Sequence, residues 1–417
     1  MTKQISVIGL GYIGLPTAVI LANLGHIVYG MDTDVSKICA IQQAQITTTE
    51  PELADALKSA VQSGRLFVSS DVKKADIFLI AVPTPLKADL TADLSYLQQA
   101  IQQISPHLQK GNLVIIESTV PVGTTEKVAQ WLQHLRPDLS FPLFFQNTAD
   151  VQIAYCPERV LPSKMMQELV QNDRVIGGLT PACTQSAVDF YQDVVQGKCL
   201  ATNAKTAEMC KLTENSFRDV NIAFANELSL ICDQQGIDVW ELIKLANHHP
   251  RVDILQPGVG VGGHCIAVDP YFICSQSPEQ AKLIRTAREV NNHKPVWVVE
   301  KIKVAVADLM MAKNCRPDEI KIACLGLSFK ADVDDLRESP AVLITQALAQ
   351  WHQGEIWAVE PHIQTLPVIL ANQVKLTDFS TAVQQADIIV HLVKHSCFAT
   401  IKPDSTQVYL DFCGATV

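Results

Sequence analysis

ISVIGLGYIGLPTAVIL, Ile5 to Leu21, decides how this chain folds. An apolar run over Ile5–Leu10 breaks on three glycines spaced GxGxxG (Gly9, Gly11, Gly14), and a helical pattern follows over Ile13–Leu24. Gly9 and Gly11 permit a tight turn and the close approach of a pyrophosphate, and Gly14 lets helix and strand pack together. The pyrophosphate would lie over backbone N–H groups at the start of the helix. Tyr12 and Ile13, inside the same turn, join the glycines as expected cofactor contacts. Asp32 ends the next apolar run, 18 residues past Gly14. A carboxylate there accepts hydrogen bonds from the adenosine ribose and repels a 2′-phosphate, so the expected cofactor is NAD and not NADP.

Working outward, Ile27–Met31, Ile77–Val82 and Leu113–Glu117 are rich in Val, Ile and Leu with little polar alternation. That is the pattern of strands buried on both faces of a parallel sheet. Helical stretches such as Leu94–Leu108 separate them, and short strands at Gln152–Pro157 and Val175–Leu179 extend the unit to about residue 203. Between Ala204 and Gly236 there is neither proline nor glycine, and Met209, Leu212, Phe217, Val220, Phe224 and Leu228 recur at helical spacing. One long helix is expected, a spine between domains or a dimer interface. More helix follows at Val239–Asn247 and Glu279–Leu309, then a second α/β unit with strands at Ile320–Leu325, Glu355–Val359, Ile388–Val393 and Val408–Leu410. Ser339 and Pro340 suit the N-cap and first position of its opening helix. The fold class is therefore α/β: two Rossmann-like doubly wound lobes joined by a central helical region with a long spine helix. The expected domains are 1–203, which binds NAD, 204–310, helical, and 311–417, a second Rossmann-like lobe. The two lobes share a βαβ plan that the sequence does not prove to be a repeat.

Composition limits what such a chain does. With 417 residues, two or three domains are expected. A hydrophobic content of 48% with 18% charged residues describes a packed globular protein. The net charge of −10 argues against a nucleic-acid or anionic-membrane surface. Twelve cysteines include no CxxC pair and no paired zinc-ligand spacing, so reduced thiols, no metal and a cytoplasmic location are expected. The N-terminus carries no signal-peptide pattern, and no apolar run is long enough to span a membrane.

The chemistry centres on GVGVGGHCIAV, Gly258 to Val268, with Asp269 and Pro270 directly after. Cys265 follows a run of glycines that offers no bulky shield, and Gly258, Gly260, Gly262 and Gly263 are expected to bring the backbone close to a ligand. Asp269 could hold a water or place a proton beside the thiol. On the long helix Glu208, Lys211 and Asn215 share one face, either a solvated ion-paired surface or part of the site. Lys211 is the better candidate, a cation for a developing oxyanion. Glu158 follows a strand in YCPERV, and Thr84 and Thr119, with Ser118, stand in loops after strands, where such sheets bind ligands. Lys330, Arg337 and Arg251 are candidate anion binders.

Taken together GLGYIGLP, VPTP, ESTVPVGTT, PERV, AEMCKLTENSFRDVNIAFANE, GVGVGGHCIAVDP and SFKADVDDLRESP resemble the UDP-glucose/UDP-mannose (nucleotide-sugar 6-) dehydrogenase family, in family order over nearly the whole chain. The resemblance implies a four-electron oxidation of a UDP-sugar C6 alcohol to a carboxylate with two NAD. It implies Cys265 as the nucleophile, passing through a thiohemiacetal and a thioester. It assigns Lys211 and Asn215 to the oxyanion, Asp269 and Thr119 to the catalytic water and Glu158 to acid–base work in thioester hydrolysis. Lys330 would bind the substrate, Arg337 would reach the cofactor, the second lobe would hold the UDP, and the long helix would pair two subunits as a homodimer.

The chain departs from the UDP-glucose members, which typically carry a serine before the cysteine and a Pro-Lys pair before the aspartate. His264, Ala267 and Val268 stand there instead, and PERV with Arg159 replaces another family pattern. HHPRVDILQPGVGVGGHCIAVDPYF resembles the N-acetylhexosamine branch, with UDP-N-acetylmannosamine the implied substrate and UDP-N-acetylglucosamine or UDP-glucose the alternatives. Arg159, Arg251 and Gly262 then join Glu158, Lys211, Asn215 and Lys330 as expected substrate contacts. Other classes fit less well. A two-electron hydroxyacid dehydrogenase of the 6-phosphogluconate type needs neither Cys265 nor a second lobe. A UDP-sugar epimerase typically carries a YxxxK pair, absent here. A non-catalytic NAD or UDP-sugar sensor would not need Cys265, Lys211 and Asp269 intact.

Overall fold

The computed structural model describes residues 2–46, 50–145, 148–160 and 164–415. The elements of the first part run β1 (Gln4–Ile8), α1 (Gly14–Asn23), β2 (Ile27–Met31), α2 (Val35–Gln42), α3 (Pro51–Gln62), β3 (Leu66–Ser69) and β4 (Ile77–Ile80). They continue as α4 (Ser95–Ile104), β5 (Leu113–Ile116), α5 (Thr124–Leu135), α6 (Pro142–Phe145), β6 (Gln152–Tyr155), α7 (Met165–Gln171), β7 (Arg174–Gly178), α8 (Pro181–Gln192) and β8 (Cys199–Asn203). Then come α9 (Ala204–Gln235), α10 (Val239–Ala246), α11 (Asp269–Gln276) and α12 (Lys282–Lys313). The last part holds β9 (Ile322–Leu325), α13 (Pro340–Trp351), β10 (Ile356–Val359), β11 (Lys375–Leu376), α14 (Phe379–Gln385), β12 (Ile388–His391) and β13 (Val408–Asp411). Two compact units result, Met1–Glu214 and Asn215–Val417, and the division falls within α9.

The first unit is an eight-stranded sheet in the order β3-β2-β1-β4-β5-β6-β7-β8. Its strands are parallel except where β7 runs antiparallel to β6, a reversal that the expected all-parallel sheet lacks. The central strands β4 and β5 are buried along their whole length, which explains their unbroken apolar sequence. Apolar side chains fill both faces of the sheet, Leu21, Leu57 and Ile176 on one side, Phe78, Ile101 and Leu132 on the other. The second unit carries a five-stranded parallel sheet in the order β11-β10-β9-β12-β13, also covered on both faces.

The two sheets open in the same way. Gly9 follows β1 at φ +89°, and Gly326 follows β9 at φ +89°. Gly9 N–H donates to the Met31 carbonyl at 2.8 Å, and Gly326 N–H donates to the Val359 carbonyl at 2.8 Å. The next amide, Leu10 or Leu327, donates to the carboxylate that ends the second strand: Asp32 at 2.9 Å, Glu360 at 2.7 Å. After that they diverge, for α1 begins at Gly14 whereas α13 waits until Pro340. Ser339 is the N-cap of α13 but does not cap with its side chain; its hydroxyl donates to the Leu327 carbonyl at 2.6 Å.

α9 is one continuous helix, and most of its recurring apolar positions lie away from its covered face. Phe217 and Phe224 are 70% and 53% exposed, and of the six recurring apolar positions only Leu212 is buried. The covered face mixes small apolar residues such as Ala223, Ala225 and Cys232 with polar ones. Asp219 and Asn226 have no exposure, and they meet Arg288 and Asn291 of α12. Farther along, Lys294 donates to the Ser229 hydroxyl at 2.5 Å and lies 3.9 Å from the centre of the Trp297 ring. Burial pulls its ammonium down to about 7, against the opposing field of Asp233. Above that pH the folded chain releases a proton that the unfolded chain keeps until about 10.4, so stability rises with pH over this window by up to ~1.4 kcal/mol per unit. Lys294→Met is expected to flatten that rise when thermal stability is followed between about pH 7 and pH 9. An unchanged slope would show that Lys294 does not titrate there.

Candidate active site

In the first unit the glycine turn forms a cradle. A Cβ on Gly14 would fall 1.8 Å from the Gly9 carbonyl oxygen, whereas a Cβ on Gly11 would meet nothing within 4 Å. The first position therefore closes helix onto strand, and the second leaves open space at the start of α1. Ile13, the N-cap, offers no side-chain acceptor to the first amides of that helix. A phosphate-sized anion suits such an end. Asp32, almost fully buried, accepts from the Leu10 amide at 2.9 Å, the Asp34 amide at 3.0 Å and the Lys37 ammonium at 3.0 Å. Burial would raise its carboxyl, but these bonds prevail and hold it below the usual range. An ionised carboxylate thus stands at the end of β2, where the ribose of NAD would lie, and the residues present fit that cofactor. Lys37 is a neighbour that the sequence reading does not identify.

Two loops at the C-terminal ends of β4 and β5 are tied together. The Thr84 hydroxyl donates to the Thr119 carbonyl at 2.5 Å, and the Ser118 hydroxyl donates to the Val82 carbonyl at 2.7 Å. Glu208 belongs to neither expected class, surface ion pair or site residue. It is wholly buried, and its carboxylate accepts from the Gly123 amide at 2.6 Å and from the Thr125 amide and hydroxyl at 2.7 and 2.6 Å. It thereby caps α5 from another helix, since Gly123, the N-cap of α5, has no side chain to do so.

Glu158 lies just past β6 and is buried, as is Lys211. Burial pushes the Glu158 carboxyl up, against the pull of Lys211 and Arg174. Behind it stands a set of buried polar groups that the sequence reading misses. The Tyr191 hydroxyl donates to Glu117 at 2.6 Å, and the Arg174 guanidinium lies 5.5 Å from the Tyr191 ring centre. The visible signal is Arg174 itself, a charge opening an otherwise apolar strand. Burial raises the neighbouring Cys156 thiol to about 12, which makes it inert as a nucleophile. Arg159 is braced by Glu214 at 2.6 Å and by the Asp173 carbonyl at 2.5 Å.

In the second unit Cys265 is half-buried, and its carbonyl accepts the N–H groups of Val268 at 3.0 Å and Asp269 at 2.8 Å. Asp269, buried, is the first residue of α11, and Asn215 donates to its carboxylate at 2.5 Å. The glycines before the cysteine also serve packing within the protein. A Cβ on Gly262 would lie 2.5 Å from the Glu338 carbonyl oxygen and 2.8 Å from Phe329 Cβ, and one on Gly263 would lie 3.0 Å from the Phe329 ring. Gly263 N–H also donates to the Arg337 carbonyl at 3.1 Å. These glycines let the loop pack against the 329–340 segment; only Gly258 faces open space. The Arg337 side chain is paired with Asp335 at 2.6 Å, and Lys330 and Arg251 are exposed.

Comparison with known proteins places the chain in a family. The chain matches the UDP-glucose/GDP-mannose dehydrogenase family in its NAD binding domain over residues 3–195, its central domain over 205–293 and its UDP binding domain over 323–414. That description pairs UDP-glucose with GDP-mannose, where the sequence reading has UDP-mannose. The UDP-N-acetyl-D-mannosamine dehydrogenase of Yersinia pestis is 58% identical over 405 residues, 97% of this chain and 96% of that protein. A UDP-D-ManNAc dehydrogenase structure from Pyrococcus horikoshii superposes with a TM-score of 0.88 at 36% identity, covering 99% of this chain and 100% of that one. The UDP-N-acetyl-mannosamine dehydrogenase of Staphylococcus aureus does so with 0.84 at 38% identity, with 99% of each chain covered. This chain belongs to the UDP-glucose/GDP-mannose dehydrogenase family, the NAD-dependent nucleotide-sugar dehydrogenases.

Proposed function

We propose that this protein oxidises UDP-N-acetyl-D-mannosamine at C6 to UDP-N-acetyl-D-mannosaminuronate. The observation that carries the chemistry is the seating of Cys265: a half-buried thiol one turn before a buried aspartate that Asn215 holds. The choice of sugar is supported by the relatives of 58% and 36% identity, whose names specify it. NAD, when bound, accepts a hydride in each of two oxidations, and Gly9, Gly11, Tyr12, Ile13, Gly14, Asp32, Thr84, Thr119 and Arg337 are the residues proposed to hold it.

The chain's own residues divide the remaining work. In the first oxidation the C6 alcohol becomes an aldehyde, and its hydroxyl proton leaves to the water assigned to Asp269 and Thr119. Cys265 sulfur then bonds to the aldehyde carbon, and the thiol proton passes to the carbonyl oxygen, giving a thiohemiacetal. Lys211 and Asn215 stabilise the oxygen as it carries charge. The second oxidation converts the adduct to a thioester, with loss of the hydroxyl proton. Water adds to that carbon, the C–S bond breaks, and the carboxylate leaves with the thiol restored. Glu158 takes the proton of the attacking water and returns one to the departing sulfur. Arg159, Arg251, Gly262 and Lys330 complete the proposed substrate contacts.

A two-electron oxidation would leave Cys265 without a role. The remaining readings are organisational. The proposed domains are 1–203, 204–310 and 311–417, a reading supported by the two separate sheets. A homodimer through α9 is supported by the exposed Phe217, Phe224 and Ile231, an apolar face with no partner within the described chain. No helix of the described residues is long and apolar enough to cross a membrane, and a cytoplasmic location is proposed on the reduced cysteines.

Three outcomes are expected. Two NADH should form per UDP-N-acetylmannosamine consumed, with UDP-N-acetylglucosamine and UDP-glucose turned over more slowly; one NADH per sugar would return the chain to two-electron chemistry. Cys265→Ser should stall the second oxidation, because a serine hydroxyl is a poorer nucleophile than a thiol and a poor substitute for it in the covalent adduct, and normal carboxylate output would sink the covalent route. Glu158→Gln should accumulate the thioester, visible in the intact mass. It should also remove the acidic limb of the rate profile, which lies above the ordinary glutamate range of about 4.3 because burial raises this carboxyl. A limb that persists in the variant belongs to another group.

A further inference from the structure

The loop that carries Cys265 is held from both sides by one chain of side-chain hydrogen bonds, buried except at its Asn292 end. At its start, Gly258 N–H donates to the Asn226 side-chain oxygen at 2.9 Å. The Asn226 amide donates to Asn291 at 2.9 Å, and the Asn291 amide donates to the Asp219 backbone carbonyl at 3.0 Å and to its carboxylate at 2.8 Å. Arg288 donates to that carboxylate at 2.7 Å and to Asn292 at 2.5 Å. Asn292 in turn donates to the Tyr271 hydroxyl at 2.8 Å, and Tyr271 lies on α11, two residues beyond Asp269. The Arg288 guanidinium also faces the Tyr271 ring, 5.6 Å from its centre.

Asn226, Asn291, Asp219 and Arg288 are each nearly or wholly buried, so this is an expensive arrangement if it serves only to join two helices. Apolar residues of similar volume would join α9 to α12 at least as well. What apolar residues could not do is bind a backbone amide of the glycine loop. That loop lacks side chains to anchor itself at Gly258, and a Cβ there would meet nothing within 4 Å. Its start would be free to shift without the Asn226 acceptor. Its far end is already fixed by Asn215 on Asp269, and Asn292 adds a second hold there.

We propose that Asn226 and Asn292 are positioning residues for Cys265: through the relay of Asn291, Asp219 and Arg288 they clamp the two ends of its loop and set where the thiol stands. This rests on the reading of Cys265 as the nucleophile. A shift of about 1 Å in a reacting group costs on the order of 100-fold in rate. The first oxidation makes no use of the thiol, and the second depends on it, so the two steps separate a positioning role from a general loss of fold.

The test uses the full-length enzyme with Asn226→Ala and, because that site is buried, Asn292→Ala at the exposed end of the relay. Rapid mixing with NAD and UDP-N-acetylmannosamine should give a first NADH at the wild-type rate and a second slowed by about 10- to 100-fold. NAD affinity should be unchanged. Iodoacetamide labelling, read by peptide mass spectrometry, should modify Cys265 several-fold faster, while the buried Cys232 and Cys274 stay unlabelled as reporters of intact folding. Asn292→Ala decides the matter alone if Asn226→Ala does not fold. Equal slowing of both steps, or wild-type second-step and labelling rates in the folded variants, overturns the proposal. Failure of the wild-type enzyme to form two NADH would overturn the reading of function instead, and the labelling rates would still report on the clamp.

Discussion

A carboxylate that accepts a backbone N–H at the first turn of each sheet is the contact on which the rest of this protein depends. Asp32 receives the Leu10 amide and Glu360 the Leu327 amide, and both follow a glycine at the same positive φ. The bond fixes the direction in which the chain leaves the first strand and so where the ligand-facing turn lies. The two units then use it differently. Asp32 is left at the rim of an open glycine cradle. Glu360 is consumed by the protein: it also accepts the Ser328 amide at 2.9 Å and the His362 amide at 3.2 Å, and it faces the His395 ring at 3.1 Å. Asp32 is bonded as well, by the Asp34 amide and Lys37, but beside the open turn, whereas Glu360 is a strut beneath a longer loop.

The helix α9 shows how polarity is distributed against the simplest expectation. Burying Asp219 and Arg288 costs desolvation that a 2.7 Å ion pair offsets only when the remaining bonds are also made. Asn291 and Asn292 supply part of them, while Asp219 Oδ2 and Arg288 Nε are left without a hydrogen-bond partner among the described residues. A polar seam of this kind specifies one register between two helices, since sliding by a turn would leave several buried groups unpaired. Apolar side chains would tolerate such a slip. The phenylalanines that usually drive helix packing are turned outward instead, to the face on which a second copy is proposed to sit.

Glycine serves two opposite ends here. At Gly11 the missing side chain leaves room for something that is not protein. At Gly262 it leaves room for Phe329 and the Glu338 carbonyl, so the chain closes upon itself. Both read as ligand glycines in the sequence, because a missing Cβ says that something approaches closely and not what it is.

How much could be read in advance follows from whether the cause is local. Strand β2 coincides with its expected Ile27–Met31, and the central strands end within a residue or two of their apolar runs, since burial on both faces leaves its mark on every residue. The strands that were missed, β3, β8 and β11, all lie at sheet edges, where half-exposed positions blur the pattern. The GxGxxG turn, Asp32 and the long helix were legible because glycine spacing, a strand-ending carboxylate and the absence of helix breakers act over a few residues. The capping role of Glu208, the reversal of β7, the outward face of α9 and the tether from Asn226 to Gly258 were not. Each joins residues distant in sequence, so it exists only once the tertiary structure has brought them within hydrogen-bonding or packing distance. The sequence by itself determined the fold class and which residues are candidates for chemistry; the tertiary structure decided which of them are buried in contacts within the protein and which stay exposed.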